Sequence, residues 1–250
     1  MNPDDHRLAH DLATQTGERL LTLRASGGDE DPTRLRKAGD MLAHEYLMAE
    51  LGQLRPQDAV LSEEGKDDKV RLSAQRAWIV DPLDGTREFG EIGREDWAVH
   101  VALWEQGQLT AGAVALPAQQ VTLSTMAPPE VPAAAQAGPI RIVISRSRPP
   151  AFIERVAELT GAELVPLGSA GAKVAAVVRG QVDAYVHAGG QYEWDSAAPV
   201  AVARAAGLHT SRIDGSELTY NQEHPWMPDL LVCRPELASK LLGAIESAGE

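Results

Sequence analysis

The stretch that decides the fold is RAWIVDPLDGTREFG, residues 76–90. Its apolar run predicts a buried strand over 77–80, and Asp81 and Asp84 follow that strand on a turn with a proline and a glycine. Two carboxylates this close repel each other at neutral pH, so a shared proton, an arginine or a hard divalent cation such as Mg²⁺ must neutralise them. The alternative is an ordinary surface turn, because Asp-Pro and Asp-Gly pairs are frequent in turns.

The composition is that of a globular protein with excess negative charge. Of 250 residues, 44% are hydrophobic, which suffices for a large core in one domain or two fused halves. The formal net charge of −13 argues against a nucleic acid partner, because phosphate backbones attract cationic surfaces. Small phosphorylated ligands stay possible, because bound metal ions reverse the local field. The single cysteine, Cys233, lies in an apolar run and is predicted to be a buried structural thiol.

Membrane attachment is not indicated anywhere in the sequence. No apolar run is long enough to span a bilayer, so we expect no membrane partner. The polar start over residues 1–6 is not followed by the apolar run of a signal peptide. We therefore predict a cytoplasmic protein.

The first half of the chain combines helices with extended segments. Leucine spacing predicts a helix over 4–24 and a second helix over 40–54, and a short strand over 59–61 follows them. Extended segments separated by turn residues then predict an antiparallel meander, and these segments are WAVHVALW, LTAGAVALP and VTLST. The first half is thus predicted to be α+β with an antiparallel sheet.

The second half alternates strands with helices, which is typical of an α/β layer with a mixed sheet. The predicted strands are IRIVIS, ELVPL, VDAYVH and DLLVC, and the predicted helices cover 150–160, 170–179 and 196–206. A Pro- and Ala-rich stretch separates the two halves. We therefore predict an N-terminal half over 1–127, a linker over 128–138 and a C-terminal half over 139–250.

Three further acids stand at the ends of predicted elements. Glu63 closes the strand in AVLSEE, Asp195 precedes the helix over 196–206, and Asp40 starts the helix over 40–54. Each has a purely structural alternative. Glu63 could form a solvated surface pair with its neighbour, and the two aspartates could cap helices or complement their dipoles.

Three motifs together resemble the inositol monophosphatase superfamily, and they are LSEE, WIVDPLDGTREF and EWDSAAPVAVARAAG. The resemblance covers nearly the whole chain and implies a layered αβαβα sandwich with Mg²⁺-dependent, lithium-sensitive phosphatase activity. DGTREF and EWDSAA are most similar to the CysQ-type 3'(2'),5'-bisphosphate nucleotidase branch. Haloacid-dehalogenase phosphatases are a poorer match, because they carry D-x-D-G-T after their first strand and this chain has D-x-x-D-G-T after residue 80.

The resemblance implies a cluster of two to three Mg²⁺ ions. Glu63, Asp81 and the main-chain carbonyl of Leu83 would hold one ion. Asp81 would bridge to a second ion that Asp84 and Asp195 also bind, and a weaker third ion would use Glu63 and water. Carboxylate and carbonyl oxygens suit Mg²⁺, and paired ions stabilise the attacking and leaving oxygens of an in-line displacement.

Catalytic roles also follow from the resemblance. The Thr86 hydroxyl would take a proton from the attacking water and relay it to Asp40, while the amides of Gly85 and Thr86 would hold the transferred phosphate. The implied substrate-binding set is Leu83, Asp84, Gly85, Thr86, Asp195, Arg146, Lys173 and His187.

The last three of these residues belong to VISRSRPP, GSAGAK and AYVHAGG, where the branch is expected to bind the nucleoside and its second phosphate. A second phosphate needs a cation away from the metals, and Arg146, Lys173 and His187 are the candidates. Each has a structural alternative, namely a loop charge, a solvated helix residue and a strand-end histidine. Arg87 departs from the lysine more common in related nucleotidases, which keeps the charge but changes its geometry.

Two residues beside these motifs are assigned to packing. His100, in WAVHVALW, is predicted to be structural. Trp194 is predicted to pack in the core and to set the direction of Asp195.

The implied reaction is hydrolysis of the 3'-phosphate of 3'-phosphoadenosine 5'-phosphate by a metal-activated water, with the sulfated relative as a second substrate. This would place the chain in sulfate assimilation, with a homodimer as a candidate assembly. An inositol monophosphatase or fructose-1,6-bisphosphatase with the same metal site is the alternative within the superfamily. A catalytically silent phosphate-binding regulator is the alternative from another class.

Overall fold

The computed structural model of the protein describes residues 3–26, 31–133 and 138–249. Within these ranges two five-stranded sheets are formed. The first contains β1 (Ala59–Ser62), β2 (Arg76–Asp84), β3 (Ala98–Glu105), β4 (Gln108–Leu116) and β5 (Val121–Ser124). The second contains β6 (Arg141–Ser145), β7 (Glu163–Leu167), β8 (Ala184–Tyr192), β9 (His209–Ser211) and β10 (Trp226–Cys233). The helices are α1 (Pro3–Ser26), α2 (Pro32–Leu54), α3 (Thr86–Gly90), α4 (Ile153–Thr160), α5 (Ala170–Val178), α6 (Glu193–Ala205) and α7 (Ala238–Gly249).

The first sheet has the strand order β1-β2-β3-β4-β5. Strands β2 to β5 pair antiparallel with their neighbours, which confirms the predicted meander. Strand β1 pairs parallel with β2, so this sheet is mixed and not purely antiparallel as predicted. The pairing is parallel because the chain after β1 returns to the end of the sheet where β1 began before it starts β2. A short 3₁₀ helix (Lys69–Leu72) lies in this connection.

The second sheet has the order β7-β6-β8-β10-β9. Strand β6 pairs parallel with both β7 and β8, whereas β10 pairs antiparallel with β8 and β9. The predicted mixed sheet is therefore confirmed. The short edge strand β9 was not predicted, because three residues carry too little periodicity to signal a strand.

Alternating side chains of the strands divide the core into layers. Trp78 and Val80 of β2 pack against α1 and α2 on the outer face of the first sheet. Ile79, between them, points to the other face, where α5 and α6 fill the space between the two sheets. In β10, Val232 faces these central helices while Leu231 packs against α4 and α7 on the far side. The order of layers is αβαβα, as the resemblance implied.

Several element boundaries differ from the sequence prediction. Helix α2 begins at Pro32 because Asp31 caps it, accepting a hydrogen bond from the Thr33 amide at 3.1 Å. Asp40 consequently lies inside the helix, and its interpretation as a capping residue is wrong. Helix α6 begins at Glu193, so Asp195 is in its first turn. Strand β2 continues past the predicted end at residue 80 to Asp84.

The predicted linker lies between β5 and β6, and residues 134–137 of it are outside the described residues. The part before them packs on the second half: Val131 contacts the central core, and the Pro132 carbonyl accepts a hydrogen bond from Arg234 at 2.9 Å. The central core also draws on both halves, as Ile79 and Val232 illustrate. The division into two halves joined by a linker stays a prediction.

Two composition-based predictions can be compared with the fold. Cys233 is fully buried at the end of β10, and burial raises the pKa of its thiol to about 12, which agrees with a structural residue. None of the helices in the described ranges combines the length and the apolar character needed to cross a bilayer.

Candidate active site

The candidate site lies at the end of β2. Asp81 pairs with His100 of β3 and Asp84 pairs with Ala98, so one extra residue bulges from β2 between the two acids. The bulge contains Pro82, which has no N–H to offer to the ladder. The predicted turn is therefore a bulge inside the strand, and it brings two buried carboxylates to the same place.

Neighbouring elements add two more acids. Parallel pairing puts Ser62 opposite Val80, so Glu63 emerges from β1 beside Asp81. Asp195 comes from the first turn of α6, where its Oδ2 accepts a hydrogen bond from the Tyr192 amide at 2.6 Å. Carboxylate oxygens of Asp81, Asp84 and Asp195 lie within 4.8 Å of one another. Asp195 thus lies both in the first turn of α6 and beside Asp81 and Asp84.

Asp84 is held by donors from the second half of the chain. Its Oδ2 accepts hydrogen bonds from Ser169 Oγ at 2.5 Å and from the Gly171 amide at 2.6 Å. Ser169 has a φ of +43°, a backbone conformation that L-residues seldom adopt and that is found where function demands it. The sequence does not predict these donors, although both lie in GSAGAK, the segment that contains the candidate phosphate ligand Lys173.

His100 is also part of the site. It is fully buried, its Nε2 lies 3.2 Å from Asp84 Oδ2, and its Nδ1 is 3.1 Å from the Trp194 carbonyl. The sequence prediction of a structural histidine therefore missed its contact with Asp84. Trp194 is half-buried, packs against the central core and stacks on Tyr192 with 4.7 Å between ring centroids.

Burial and, after it, electrostatic repulsion raise the pKa of three of the acids. Burial, followed by the charge of Asp195, raises the pKa of Glu63 to about 7. Burial and the charge of Asp84 raise the pKa of Asp195 to about 6. Burial and the charges of the other three carboxylates hold the pKa of Asp81 well above its usual range. A cluster of this kind favours a bound proton or cation.

Asp84 behaves differently from its neighbours. Burial alone would raise its pKa, but His100, Lys173 and the Ser169 hydroxyl lower it to about 2. The same contact raises the pKa of His100 against the effect of burial. Asp84 is therefore the acid that stays ionised most readily.

We expect the protein in chelator to become less stable as the pH rises from about 4 to about 7. Glu63 and Asp195 keep protons in the folded state that they release near pH 4 when unfolded. Folded pKa values above the unfolded ones mean that the free energy of unfolding falls as pH rises through this window. The measurement is Tm against pH in wild type and Glu63→Gln, and an equally steep fall in both would contradict the assignment.

Asp40 and Thr86 are brought together by helices α2 and α3. Thr86 Oγ1 lies 3.3 Å from Asp40 Oδ1 and 3.0 Å from the Leu83 carbonyl. Burial, followed by the charge of Glu64, raises the pKa of Asp40 to about 6. Asp40 does not line the cleft and reaches it through Thr86.

Gly39 allows this contact. A Cβ atom at Gly39 would lie 2.8 Å from Phe89 Cε1 and 2.9 Å from Leu83 Cδ2. A larger residue would force α2 away from β2 and α3, and Asp40 would move with it. The glycine next to Asp40 was the available sequence signal for this close approach.

A cleft of about 340 Å³ has the acids in its wall. Of the predicted substrate-side residues, Lys173 and His187 line it. The cleft also contains Arg87, Arg148 and Tyr185, which the sequence analysis did not assign to substrate binding.

Arg146 lies outside the wall of the cleft. Its Nε is 2.6 Å from Glu88 Oε1 and its Nη2 is 2.7 Å from Glu91 Oε1. Because the guanidinium of Arg146 already pairs with both carboxylates, the structure does not support Arg146 as a phosphate-binding cation. It instead ties the loop after β6 to the region around α3.

Lys173 and His187 have buried side chains with partners of their own. Lys173 Nζ donates to the carbonyls of Gly168 at 3.1 Å and Ser169 at 2.7 Å, and burial lowers its pKa to about 8. Since an ammonium has three donors, one is left for a ligand. His187 Nε2 lies 3.0 Å from the Gly190 carbonyl, and burial lowers the pKa of its imidazole. His187 is therefore neutral at neutral pH and does not supply the expected positive charge.

Arg148 is an exposed cation of this wall, like Arg87, and the sequence predicts no role for it. It lines the cleft and also an adjoining pocket of about 350 Å³, whose other walls include Pro149, Phe152 and Gly189. Its side chain forms no ion pair with any other residue in the described ranges. Both arginines belong to SRSR, residues 145–148, and the sequence prediction concerns the first of them.

Known proteins share this architecture and sequence. A 3'-phosphoadenosine 5'-phosphate phosphatase of Mycobacterium leprae is 50% identical, with 96% of this chain and 93% of the relative covered. The crystal structure of CysQ from Bacteroides thetaiotaomicron is 28% identical, with a TM-score of 0.75 and coverage of 93% of this chain and 98% of the other. Inositol monophosphatase II from Staphylococcus aureus has a TM-score of 0.79 at 21% identity, with 96% and 92% covered, which shows the shared fold alone.

The family model for inositol monophosphatases matches residues 7–250. This range contains every acid of the cluster together with Asp40 and Thr86. Because the match spans nearly the whole sequence, the chain belongs to the inositol monophosphatase family.

Proposed function

We propose that this protein is a Mg²⁺-dependent phosphatase that removes the 3'-phosphate of 3'-phosphoadenosine 5'-phosphate. The observation that carries the proposal is the convergence of Asp81, Asp84 and Asp195 on one point at the wall of a cleft lined by Lys173 and Arg148. A 50% identical relative is named for this activity, which supports the choice of substrate. AMP and phosphate are the products.

The inositol monophosphatase family is metal-dependent, and the donor set fits a hard cation. Glu63, Asp81, Asp84 and Asp195 offer carboxylate oxygens, and the Leu83 carbonyl adds a neutral one. We assign two to three Mg²⁺ ions to these residues, as predicted from the sequence. When bound, Mg²⁺ would lower the pKa of water and withdraw negative charge from the phosphoryl oxygens.

The remaining steps use side chains and amides of this chain. Thr86 orients the attacking water with its hydroxyl and passes the proton to Asp40, which lies 3.3 Å away. Gly85, with a φ of +84°, begins the turn into α3, and its amide and that of Thr86 are assigned to the transferred phosphate. Water attacks phosphorus directly and the bond to the ribose 3'-oxygen breaks, so that AMP leaves with a proton from solvent on that oxygen and no phosphorylated enzyme forms.

The non-transferred phosphate is assigned to Arg148, with Lys173 as a second donor. Arg148 replaces Arg146 in this role because it lines the cleft and its guanidinium forms no ion pair within the part of the chain that the structure describes. The adjoining pocket with Phe152 and two prolines gives the nucleoside an apolar wall. Lys173→Ala would be an ambiguous test, because Lys173 also holds the carbonyl of Ser169, whose hydroxyl binds Asp84.

We expect Arg148→Met to lower kcat/KM for 3'-phosphoadenosine 5'-phosphate about 10- to 150-fold, the effect of losing a charge-assisted hydrogen bond. Hydrolysis of adenosine 3'-phosphate, which lacks only the second phosphate, should change little. Both substrates are to be assayed in wild type, Arg148→Met and Arg155→Met. Arg155 is an exposed arginine of α4 and serves as the matched control. Equal losses for both substrates would contradict the role of Arg148.

The same panel tests the proposed substrate against the alternatives. Wild-type protein with Mg²⁺ should prefer 3'-phosphoadenosine 5'-phosphate over inositol 1-phosphate and fructose 1,6-bisphosphate. A reversed preference would favour the inositol or fructose alternative, and no phosphate release would favour the silent regulator. A place in sulfate assimilation, a cytoplasmic location and a homodimer remain parts of the proposal.

A further inference from the structure

His44 is a residue of α2 that faces β1, the strand that ends just before Glu63. It lies one helical turn after Asp40, so both side chains lie on the same side of the helix. His44 Nδ1 is 3.0 Å from the hydroxyl of Ser62. Ser62 is buried, ends β1 and immediately precedes Glu63.

The His44 ring also lies against the other end of the turn that follows β1. The Gly65 amide donates to the Ser62 carbonyl at 3.2 Å, and a methyl group at Gly65 would lie 3.3 Å from His44 Cε1. The turn over 62–65 therefore packs against α2 through His44. Within the described ranges, the Ser62 hydroxyl has His44 as its hydrogen-bond partner.

This turn carries Glu63, whose carboxylate is repelled by nearby acids. Burial of Glu63, followed by the charges of Asp195, Asp84 and Glu64, disfavours its ionised form. The Glu63 amide donates a hydrogen bond to the Val80 carbonyl, and this bond is long at 3.4 Å. A side-chain contact to a rigid helix opposes displacement of such a turn.

We propose that His44 is a positioning residue that, through Ser62, holds Glu63 at the proposed metal cluster. The same contact fixes the position of β1 relative to α2, the helix that carries Asp40. The inference rests on the proposed metal role of Glu63. His44 itself touches neither substrate nor metal. Its loss should weaken cation binding and leave the substrate-side cleft unchanged.

The experiment measures Mn²⁺ binding by electron paramagnetic resonance on folded protein, with no substrate present. We expect His44→Leu and Ser62→Ala each to weaken Mn²⁺ binding about three- to tenfold, the effect of one neutral hydrogen bond. The double variant should be no weaker than either single variant, because both remove the same contact. His44→Asn should restore binding, because its amide can replace Nδ1 as a partner of Ser62.

Steady-state kinetics supply the second readout. At saturating Mg²⁺ the KM for 3'-phosphoadenosine 5'-phosphate should stay within twofold of wild type in His44→Leu. In a Mg²⁺ titration the concentration that gives the half-maximal rate should rise. Unchanged Mn²⁺ binding in His44→Leu, or additive losses in the double variant, would overturn the inference. If wild-type protein binds no Mn²⁺, the proposed metal site itself fails, which is a separate result.

Discussion

Asp81→Asn is expected to abolish activity and at the same time to raise the Tm of the protein in chelator. Burial and three neighbouring carboxylates raise the pKa of Asp81, so its charge destabilises the metal-free fold at neutral pH. Asparagine keeps the size of the side chain and can still accept the Leu83 amide hydrogen bond, which is 3.0 Å long. Removing the charge relieves the repulsion and also removes a ligand that the proposed ions share.

The expected loss of kcat is at least about 100-fold, since replacing even groups that only support metal ligands costs 10- to 100-fold. Mg²⁺ should raise the Tm of wild type much more than that of Asp81→Asn. Phosphate release and Tm with and without Mg²⁺ measure both effects.

Asp229→Asn provides the matched control, because Asp229 is also a buried strand aspartate. Its carboxylate pairs with Arg212 through two contacts at 2.7 and 2.8 Å and accepts the Ile213 amide. Its removal should lower the Tm in chelator and leave kcat nearly unchanged. A lowered Tm in chelator for Asp81→Asn as well, with activity retained, would show that Asp81 is a structural acid and not part of a cation site.

The fold was predictable where sequence patterns are local. The apolar run that contains Trp78, Ile79 and Val80 identified β2, and the repeated short extended segments identified the meander. The resemblance to the inositol monophosphatase superfamily implied that Asp81, Asp84 and Asp195 would meet, and their carboxylate oxygens do lie together. The parallel pairing of β1 was not predictable from its own residues, because strand direction depends on where the connecting chain returns.

The residues that surround the acids were harder to predict, because their roles depend on contacts between distant segments. His100 reads as an ordinary core residue, and only the bulge in β2 brings its Nε2 to Asp84. Arg146 and Arg148 are two residues apart in a loop, where no periodicity indicates which side chain faces the cleft. Glu88 and Glu91 decide the question by pairing with Arg146. Acids on the first half thus determine which cation of the second half is available to a ligand.

Thr86→Val is expected to lower kcat at least about 100-fold, the lower end of the contribution of positioned proton transfer. Valine keeps the branched shape and removes the hydroxyl that lies between Asp40 and the Leu83 carbonyl. Thr86→Ser retains the hydroxyl and should keep most of the activity. Thr122→Val is the control, because the Thr122 hydroxyl bonds Thr14 on the far side of the first sheet, away from the cleft.

Asp40→Asn should lower kcat to a similar extent, because an amide cannot take up the proton that Thr86 passes on. The double variant Thr86→Val with Asp40→Asn should be no slower than either single variant, since the two residues act as one unit. Mg²⁺-induced stabilisation should persist in all three, because neither side chain is assigned to a cation. Losses that multiply in the double variant would mean that Asp40 acts independently of Thr86, and the 3.3 Å contact between them would then have no part in proton transfer.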